Sequence, residues 1–314
     1  MQVIHLHHPL NPKLKFKGPV VLAMGFFDGL HLGHRQVIMT AKKIAQKKHM
    51  PLALLTYNHS PKVVYQRLND HNRRYLTLNK MKLQILKRWG VQIVYMIDYT
   101  YSFQSQTPQQ FVDNYLIRFK ANTVVAGSNH TYGPKDTANM MLLPKYTRNR
   151  INVVSVPCLI VAGGRVSSTR IRKCLDDGQV ALTDKLLGRP FQTVGTVVRG
   201  YQRGRKLGFP TINVAYDEYQ WLPKIGVYVT SVIINHHCYE GMASIGHNVT
   251  FGNHNPITIE INLLNFHQNV YGETVKINWL KEIRDQIKFS DADGLIKQMR
   301  KDQVVTHQYF SNNK

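Results

Sequence analysis

In the first 187 residues, short β-branched or apolar runs alternate with amphipathic stretches, and that alternation predicts a parallel sheet covered by helices. Strands are expected at 20–24, 52–57, 93–97, 123–126 and 152–156, and helices at about 33–48, 78–89 and 111–119. The first of these strands runs through a glycine-containing turn into a helix, so the unit reads as Rossmann-like α/β, with ligands collecting at the carboxyl ends of its strands. Beyond residue 187 the pattern changes. Strand-like runs at 192–198, 226–234, 242–245, 258–264 and 274–280 are broken by Gly, Asn and His clusters, as in antiparallel strands closed into a barrel or sandwich. A last amphipathic stretch, 293–308, sets Leu295, Ile296, Met299 and Val304 near one face of a C-terminal helix. A chain of 314 residues can hold two units with separate cores, expected here as 1–187 and 188–314, with no low-complexity linker and hence a packed joint.

Composition narrows the class. With 43% hydrophobic and 19% charged residues the chain reads as soluble and globular. No run approaches the roughly 18 to 20 apolar residues of a membrane span, and the N-terminus lacks a secretory apolar region and cleavage site, so a cytoplasmic protein is expected. Cys158, Cys174 and Cys238 are too scattered for a disulfide framework or a metal site, and the 15 histidines carry no HExxH pattern. Charge is the outlier. Residues 1–187 hold 27 Lys or Arg against 8 Asp and no Glu (27 − 8 = +19), whereas residues 188–314 hold 14 against 10 (+4). A nucleotide in a cleft uses a few of those cations, and the remainder are solvated surface or face a polyanionic partner.

The first chemically informative string is Gly25-Phe26-Phe27-Asp28-Gly29-Leu30-His31-Leu32-Gly33-His34, directly after a strand and opening a helix. Gly29 and Gly33 permit a tight turn and close approach of a ligand, and a helix N-terminus offers free N–H groups to phosphate. His31 and His34, three apart, can donate to charge developing on a nucleotide in transfer. On the residues alone such a pair is equally a structural feature. The string resembles the GxFDGxHxGH motif of prokaryotic FAD synthetases, within the wider HxGH nucleotidyltransferases. That resemblance implies that Gly25, Phe27, Asp28, Gly29 and Gly33 shape a nucleotide site in which His31 and His34 stabilise phosphates as pyrophosphate leaves. Val166-Ser167-Ser168-Thr169-Arg170-Ile171-Arg172 is similar to the family's ISSTxIR, which implies phosphate contacts for Ser168, Thr169 and Arg172; without it, the string is also a helix cap. Gly127-Ser128-Asn129-His130-Thr131-Tyr132-Gly133 is similar to GxxFxFG, which implies nucleotide or flavin contact for Asn129. Asn58 stands where many relatives carry the aspartate of TFDPHP.

The second string, Gly200-Tyr201-Gln202-Arg203-Gly204-Arg205-Lys206-Leu207-Gly208-Phe209-Pro210-Thr211-Ile212-Asn213, combines glycines and cations suited to wrapping phosphate with two oxygen ligands suited to a hard cation. On composition alone it is also a surface turn. It resembles the GxxxGRxLGFPTAN of riboflavin kinases, which implies phosphate contacts for Gly204, Arg205, Gly208 and Pro210, and coordination of Mg²⁺ by Thr211 and Asn213. Glu260, on the otherwise apolar run 258–264, is either an outward strand position or a base. Its surroundings resemble the family's ExHLLDF, whose glutamate activates the attacking ribityl hydroxyl. The run 246–251 and Gln286 depart from the family pattern beside the flavin region, Val249 standing in the place of a proline.

The resemblance thus implies a bifunctional riboflavin kinase/FAD synthetase. An adenylyltransferase domain precedes a riboflavin kinase barrel, taking riboflavin to FMN and FMN to FAD with ATP and Mg²⁺. Two alternatives stand beside it. In one, the departures at Asn58, Val249 and Gln286 impair one of the two sites. In the other, the chain is a flavin-responsive nucleic-acid-binding protein; its cations are dispersed along the sequence and it lacks the aromatic interleaving of RNA motifs, so the enzyme reading leads.

Overall fold

The computed structural model describes residues 1–70, 72–200, 202–247 and 257–313, which form two compact units, Met1–Ser168 and Thr169–Lys314. The predicted Val249 departure lies outside the described residues.

The first unit is a six-stranded parallel sheet in the order β1-β4-β3-β2-β5-β6, formed by β1 (Gln2–Leu6), β2 (Val20–Met24), β3 (Leu52–Tyr57), β4 (Ile93–Ile97), β5 (Ala121–Gly127) and β6 (Asn152–Val156). β2 and β3 are buried at every residue, which is why they read as continuous apolar runs, whereas the edge strands β1 and β6 are each buried at a single residue. From β2 the chain steps outward through β3 to β4, then returns to β5 on the other side of β2. That reversal opens a crevice at the carboxyl ends of β2 and β5. Helix α1 (Leu32–Lys47) follows β2, and α2 (Asn79–Arg88) leads into β4. The expected helix at 111–119 begins instead at Pro108 behind a Thr107 capping box, and continues as a π-helix over Val112–Ile117. Its Phe111, Tyr115 and Phe119 pack with Tyr95 and Met24 in the core.

The second unit is a closed antiparallel barrel, the first of the two expected arrangements. β9 (Phe191–Val198), β10 (Ile212–Tyr216), β11 (Gly226–Ile234), β12 (His237–His247), β13 (Ile257–Leu263) and β14 (Thr274–Arg284) run in the order β10-β13-β12-β11-β14-β9, and β9 closes on β10; a two-stranded hairpin, β7 (Ile160–Val161) with β8 (Gly164–Arg165), precedes them in the chain. Strand β12 is longer than expected because Asn235 and His236, at φ 47° and 69°, form a two-residue turn that pairs Ile234 with His237 and keeps the strands in register from there. Trp279 is fully buried in the barrel, its indole donating to Thr193 Oγ1 at 2.8 Å. Helices α3 (Ser168–Asp176) and α4 (Val180–Leu187) connect with the barrel: Lys224 N donates to Leu175 O at 2.8 Å, and Trp221 Nε1 to Asp176 Oδ1 at 3.1 Å.

The last helix, α5 (Ala292–Ser311), starts one residue before the expected span and ends three after, with Asp291 accepting from Gly294 N at 2.7 Å. Its expected face needs correction. Val304 is 54% exposed, and Asp302 and Thr306 are buried in its stead. The reason is an ion pair: Asp302 receives Nε and Nη2 of Arg284 on β14 at 2.8 to 3.1 Å, and the Gln298 amide at 2.8 Å. A polar anchor, not an apolar stripe, decides which side faces the barrel.

Candidate active sites

In the first unit, the chain leaves β2 through a turn of uncommon backbone. Phe27, Gly29 and Leu30 all have positive φ (56°, 85° and 45°), two of them without glycine's freedom. Such conformations persist only where the surroundings enforce them. Phe27 is buried, and its ring lies so close that a Cβ on Gly25 would sit 2.9 Å from it. The buried Asp28 accepts Thr77 N at 3.1 Å, and its carbonyl accepts Ser168 Oγ at 2.8 Å. Phe27, Asp28 and Ser168 therefore hold the turn in shape.

The turn delivers two histidines to the start of α1. His31 is the helix cap: its Nδ1 accepts the backbone N–H of His34 at 3.2 Å. That bond fixes the neutral tautomer, so the ring carries its proton on Nε2 as a donor. The two imidazoles stack with centroids 3.6 Å apart and planes 15° apart, and Phe27 meets His34 edge-on at 5.2 Å. Gly33 makes room for this, since a Cβ there would come within 3.2 Å of the His31 ring. Burial, aided by Arg165, lowers His31 to about 4. Burial also pushes His34 well below the ordinary histidine value, helped by His31 and by Lys82. The buried Nδ1 of His34 has no hydrogen-bond partner among the described residues. Two neutral imidazoles at a helix N-terminus form a site that offers N–H donors and dipole to phosphate without a resident charge to satisfy.

Lys82 was not singled out from the sequence. It sits on α2, is 1% exposed, and donates through Nζ to Phe26 O at 3.1 Å while lying 4.5 Å from the Phe26 ring centroid. Burial lowers it to about 8, and the Asp28 carboxylate opposes that fall. A buried ammonium beneath the turn is a positioning group for it. Its signal in the sequence is slight: one lysine among several on a helix whose apolar face is otherwise Met81, Ile85 and Leu86.

Asn58 is engaged where the family's aspartate was missed. Its amide donates to Asp98 Oδ1 at 2.7 Å and its Oδ1 accepts Tyr99 N at 3.0 Å. A carboxylate in this place would face that of Asp98, so the amide suits its neighbour. Asn129 is exposed in the loop after β5, where its Oδ1 accepts from the Cys158 thiol at 3.8 Å. Thr169 and Arg172 fall within the second unit, where the Arg172 guanidinium lies over Trp221 at 5.2 Å.

In the second unit, the chain from Gly204 to Phe209 folds back on itself. A Cβ on Gly204 would strike Phe209 O, and Phe209 N donates to Gly204 O at 2.8 Å. Gly208 turns at φ 82°. A Cβ on Gly200 would strike the Asn213 side chain, so the glycine is what admits that amide. Asn213 lies on strand β10, where it pairs directly with Glu260 of β13. Directly opposed residues have Cβ atoms about 4.5 to 5.5 Å apart. The carboxylate and the amide oxygen thereby belong to one patch of the barrel surface. Two cavities meet there. One, of about 370 Å³, is lined by Glu260, Thr211, Gly204, Ser244, Met299 and Gln286 among others; the second, of about 520 Å³, by Thr211, Arg205, Pro210, Ile212, Phe266 and Tyr271 among others. Thr211 lines both. Gln286 lies against Gly246, where a Cβ would come within 2.6 Å of its amide.

Residues 13–170 match the family described as FAD synthetase, and residues 187–310 the family described as riboflavin kinase. Among curated proteins, the chain is similar to the bifunctional riboflavin kinase/FMN adenylyltransferases of Listeria monocytogenes (40% identical, covering 99% of both chains) and Bacillus subtilis (36%, 99% of both). That of Escherichia coli K12 is 29% identical over 94% of both. Among solved structures, one from Streptococcus pneumoniae named a macrolide-efflux protein superposes with a TM-score of 0.90 at 35% identity, covering 98% of this chain and 99% of that one. No helix among the described residues is long and apolar enough to cross a membrane.

Proposed function

Because the chain belongs to the bifunctional riboflavin kinase/FMN adenylyltransferase family, we propose that its two sites divide the work as follows. The barrel phosphorylates riboflavin to FMN, and the N-terminal region, residues 1–187, adenylylates FMN to FAD. The observation that supports the reading is the geometry in each unit: His31 and His34 stacked at the head of α1, and Thr211, Asn213 and Glu260 on adjoining barrel segments.

In the adenylyl-transfer site, a phosphate oxygen of FMN attacks the α-phosphorus of ATP and pyrophosphate departs. The neutral imidazoles of His31 and His34 donate hydrogen bonds to the oxygens on which charge grows, from a frame already fixed before the reaction. Ser168, Thr169, Arg172 and Asn129 bind the remaining phosphates and the nucleotide or flavin. In the kinase site, Glu260 accepts the proton of the ribityl hydroxyl as it attacks the γ-phosphorus of ATP, the bond from that phosphorus to the bridging oxygen breaks, and ADP departs. The 370 Å³ cavity, which holds Glu260, suits the flavin, and the 520 Å³ cavity, which holds Arg205, suits the nucleotide; Thr211 on both marks the line of transfer.

Mg²⁺ fits the oxygen donors present. Thr211 and the Asn213 amide, cradled at Gly200, would hold the ion as two hard oxygen ligands. When bound, the ion neutralises phosphate charge. Both reactions are placed in the cytoplasm, where ATP is supplied. Incubating the protein with riboflavin and MgATP and separating flavins by chromatography tests the reading: FMN and then FAD are expected, and the appearance of neither overturns it.

A further inference from the structure

The positive charge of the first unit is not spread evenly over it. Met1–Ser168 carries 23 Lys or Arg and 5 Asp, with no Glu. Because all six strands are parallel, every segment entering a strand lies at one edge of the sheet, opposite the edge that carries His31 and His34. Four of the five aspartates, Asp28, Asp70, Asp98 and Asp136, follow the carboxyl ends of β2, β3, β4 and β5. The entering segments carry the reverse. Lys13, Lys15 and Lys17 precede β2, Lys47 and Lys48 precede β3, Lys87 and Arg88 precede β4, Arg118 and Lys120 precede β5, and Arg148 and Arg150 precede β6.

All eleven except the half-buried Arg118 are exposed. Asp113, which pairs with Arg150 at 3.5 Å, is the acidic partner on this side among the described ion pairs. Contacts tie the segments together: Lys48 Nζ donates to Asn122 Oδ1 at 2.6 Å, Arg118 Nη2 donates to Asn11 O at 2.9 Å, and a Cβ on Gly18 would touch Lys120. At about 4.8 Å per strand, the five segments form a cationic row roughly 20 Å long.

Neither proposed active site uses this edge. We propose that it docks the phosphate backbone of a nucleic acid, without reading its sequence. A duplex presents a charge every 1.7 Å or so of its axis, a density that matches a row of eleven cations of which Arg150 alone is paired with a carboxylate among the described ion pairs. An amphipathic membrane contact requires apolar side chains to enter the acyl boundary. Of this unit's exposed large apolar residues, Met1 and Leu14 alone lie in segments that enter strands, while Val63, Tyr65, Leu68, Tyr101, Met141 and Ile160 follow strand ends. Among the described residues no exposed Phe, Tyr or Trp lies along the row to stack on bases, which leaves the backbone as the recognised element.

Binding of the full chain to fluorescein-labelled 20-bp RNA and DNA duplexes of one arbitrary sequence, titrated in KCl, tests this. With about six cations engaged, affinity falls roughly a thousandfold between 50 and 200 mM salt. The variant Lys17→Gln/Lys47→Gln/Lys87→Gln/Lys120→Gln lowers the log–log salt slope by about three to four and retains conversion of FMN to FAD. Replacing Lys62, Arg67 and Lys135 at the opposite edge by Gln leaves the slope nearly unchanged. Should the quadruple variant fail to fold, lysine acetylation of the wild-type protein gives the same answer: bound duplex protects Lys17, Lys47, Lys87 and Lys120 and not Lys62 or Lys135. Binding of either duplex in this pattern supports the proposal. Absence of binding at 100 mM salt, equal sensitivity to both sets of substitutions, or tighter capture by phosphatidylglycerol vesicles or polyaspartate overturns it.

Discussion

Replacing Lys82 by methionine should move stability and activity in opposite directions. The side chain is 1% exposed, and burial lowers its ammonium from 10.5 to about 8. The folded value lies below the unfolded one, so between about pH 8 and 10.5 the unfolded chain binds the extra proton and stability rises with pH. Below pH 8 the full penalty of the buried cation remains, on the order of 3 kcal/mol. Lys82→Met keeps the volume and removes the charge, and Phe26 O still receives Thr56 Oγ1 at 2.9 Å. The first unit should gain about 1 to 3 kcal/mol at pH 7 and lose its upward slope above pH 8. The turn, however, loses a charge-assisted hydrogen bond that normally contributes about 1.5 to 3 kcal/mol. If that support is felt at the transition state, kcat/KM for FMN adenylylation falls about 10- to 100-fold. Hydrogen exchange of the β2 amides reads the stability of this unit alone, and FAD formation reads the site. A wild-type decline in rate above pH 8 should vanish in the variant. A variant that is less stable, with activity lost in proportion, would refute the reasoning, as would a stabilised variant with unchanged FAD formation.

Two further outcomes follow from the geometry. His31 is held at about 4 against an ordinary 6.5, so the unfolded chain takes up the proton first as pH falls; stability of the first unit should decline between pH 6.5 and 4. His31→Asn, which keeps a capping side chain, should flatten that decline in β2 amide exchange. Asp302→Ala leaves Arg284 without its buried partner and should destabilise the barrel unit by about 3 to 5 kcal/mol. Since Arg284, Asp302 and Met299 line the 370 Å³ cavity, the KM for riboflavin should rise more than that for ATP in steady-state FMN formation.

What could be read from the chain alone was local. β2 and β3 announce themselves because both faces are buried, and the turn after β2 because its glycines and histidines lie within ten consecutive residues. β1 was not legible, since an edge strand with a single buried residue and two histidines nearby carries little apolar pattern. β10 was hidden for a chemical reason: it begins inside the phosphate-loop string, and its Asn213 reads as a ligand before it reads as a strand residue. Lys82 lies 56 positions from the carbonyl it holds, and only the fold joins them. The charge of the first unit was visible as a sum, yet its cations are scattered in the sequence. Parallel topology collects eleven of them on one edge.

The central claim is that two independent sites in one chain act in succession, and mixing two single variants tests it most directly. With riboflavin and MgATP, His31→Ala should stop at FMN, the loss of an oxyanion-type donor lowering FAD formation by about 10² to 10³. Glu260→Gln should leave riboflavin unconverted yet adenylylate added FMN, the missing base lowering FMN formation by about 10² to 10⁴. Combined in one tube, the two should carry riboflavin through to FAD, because each supplies the reaction the other lacks. FAD formed from riboflavin by either variant alone, or a mixture that fails although each variant retains its own remaining reaction, would contradict the account.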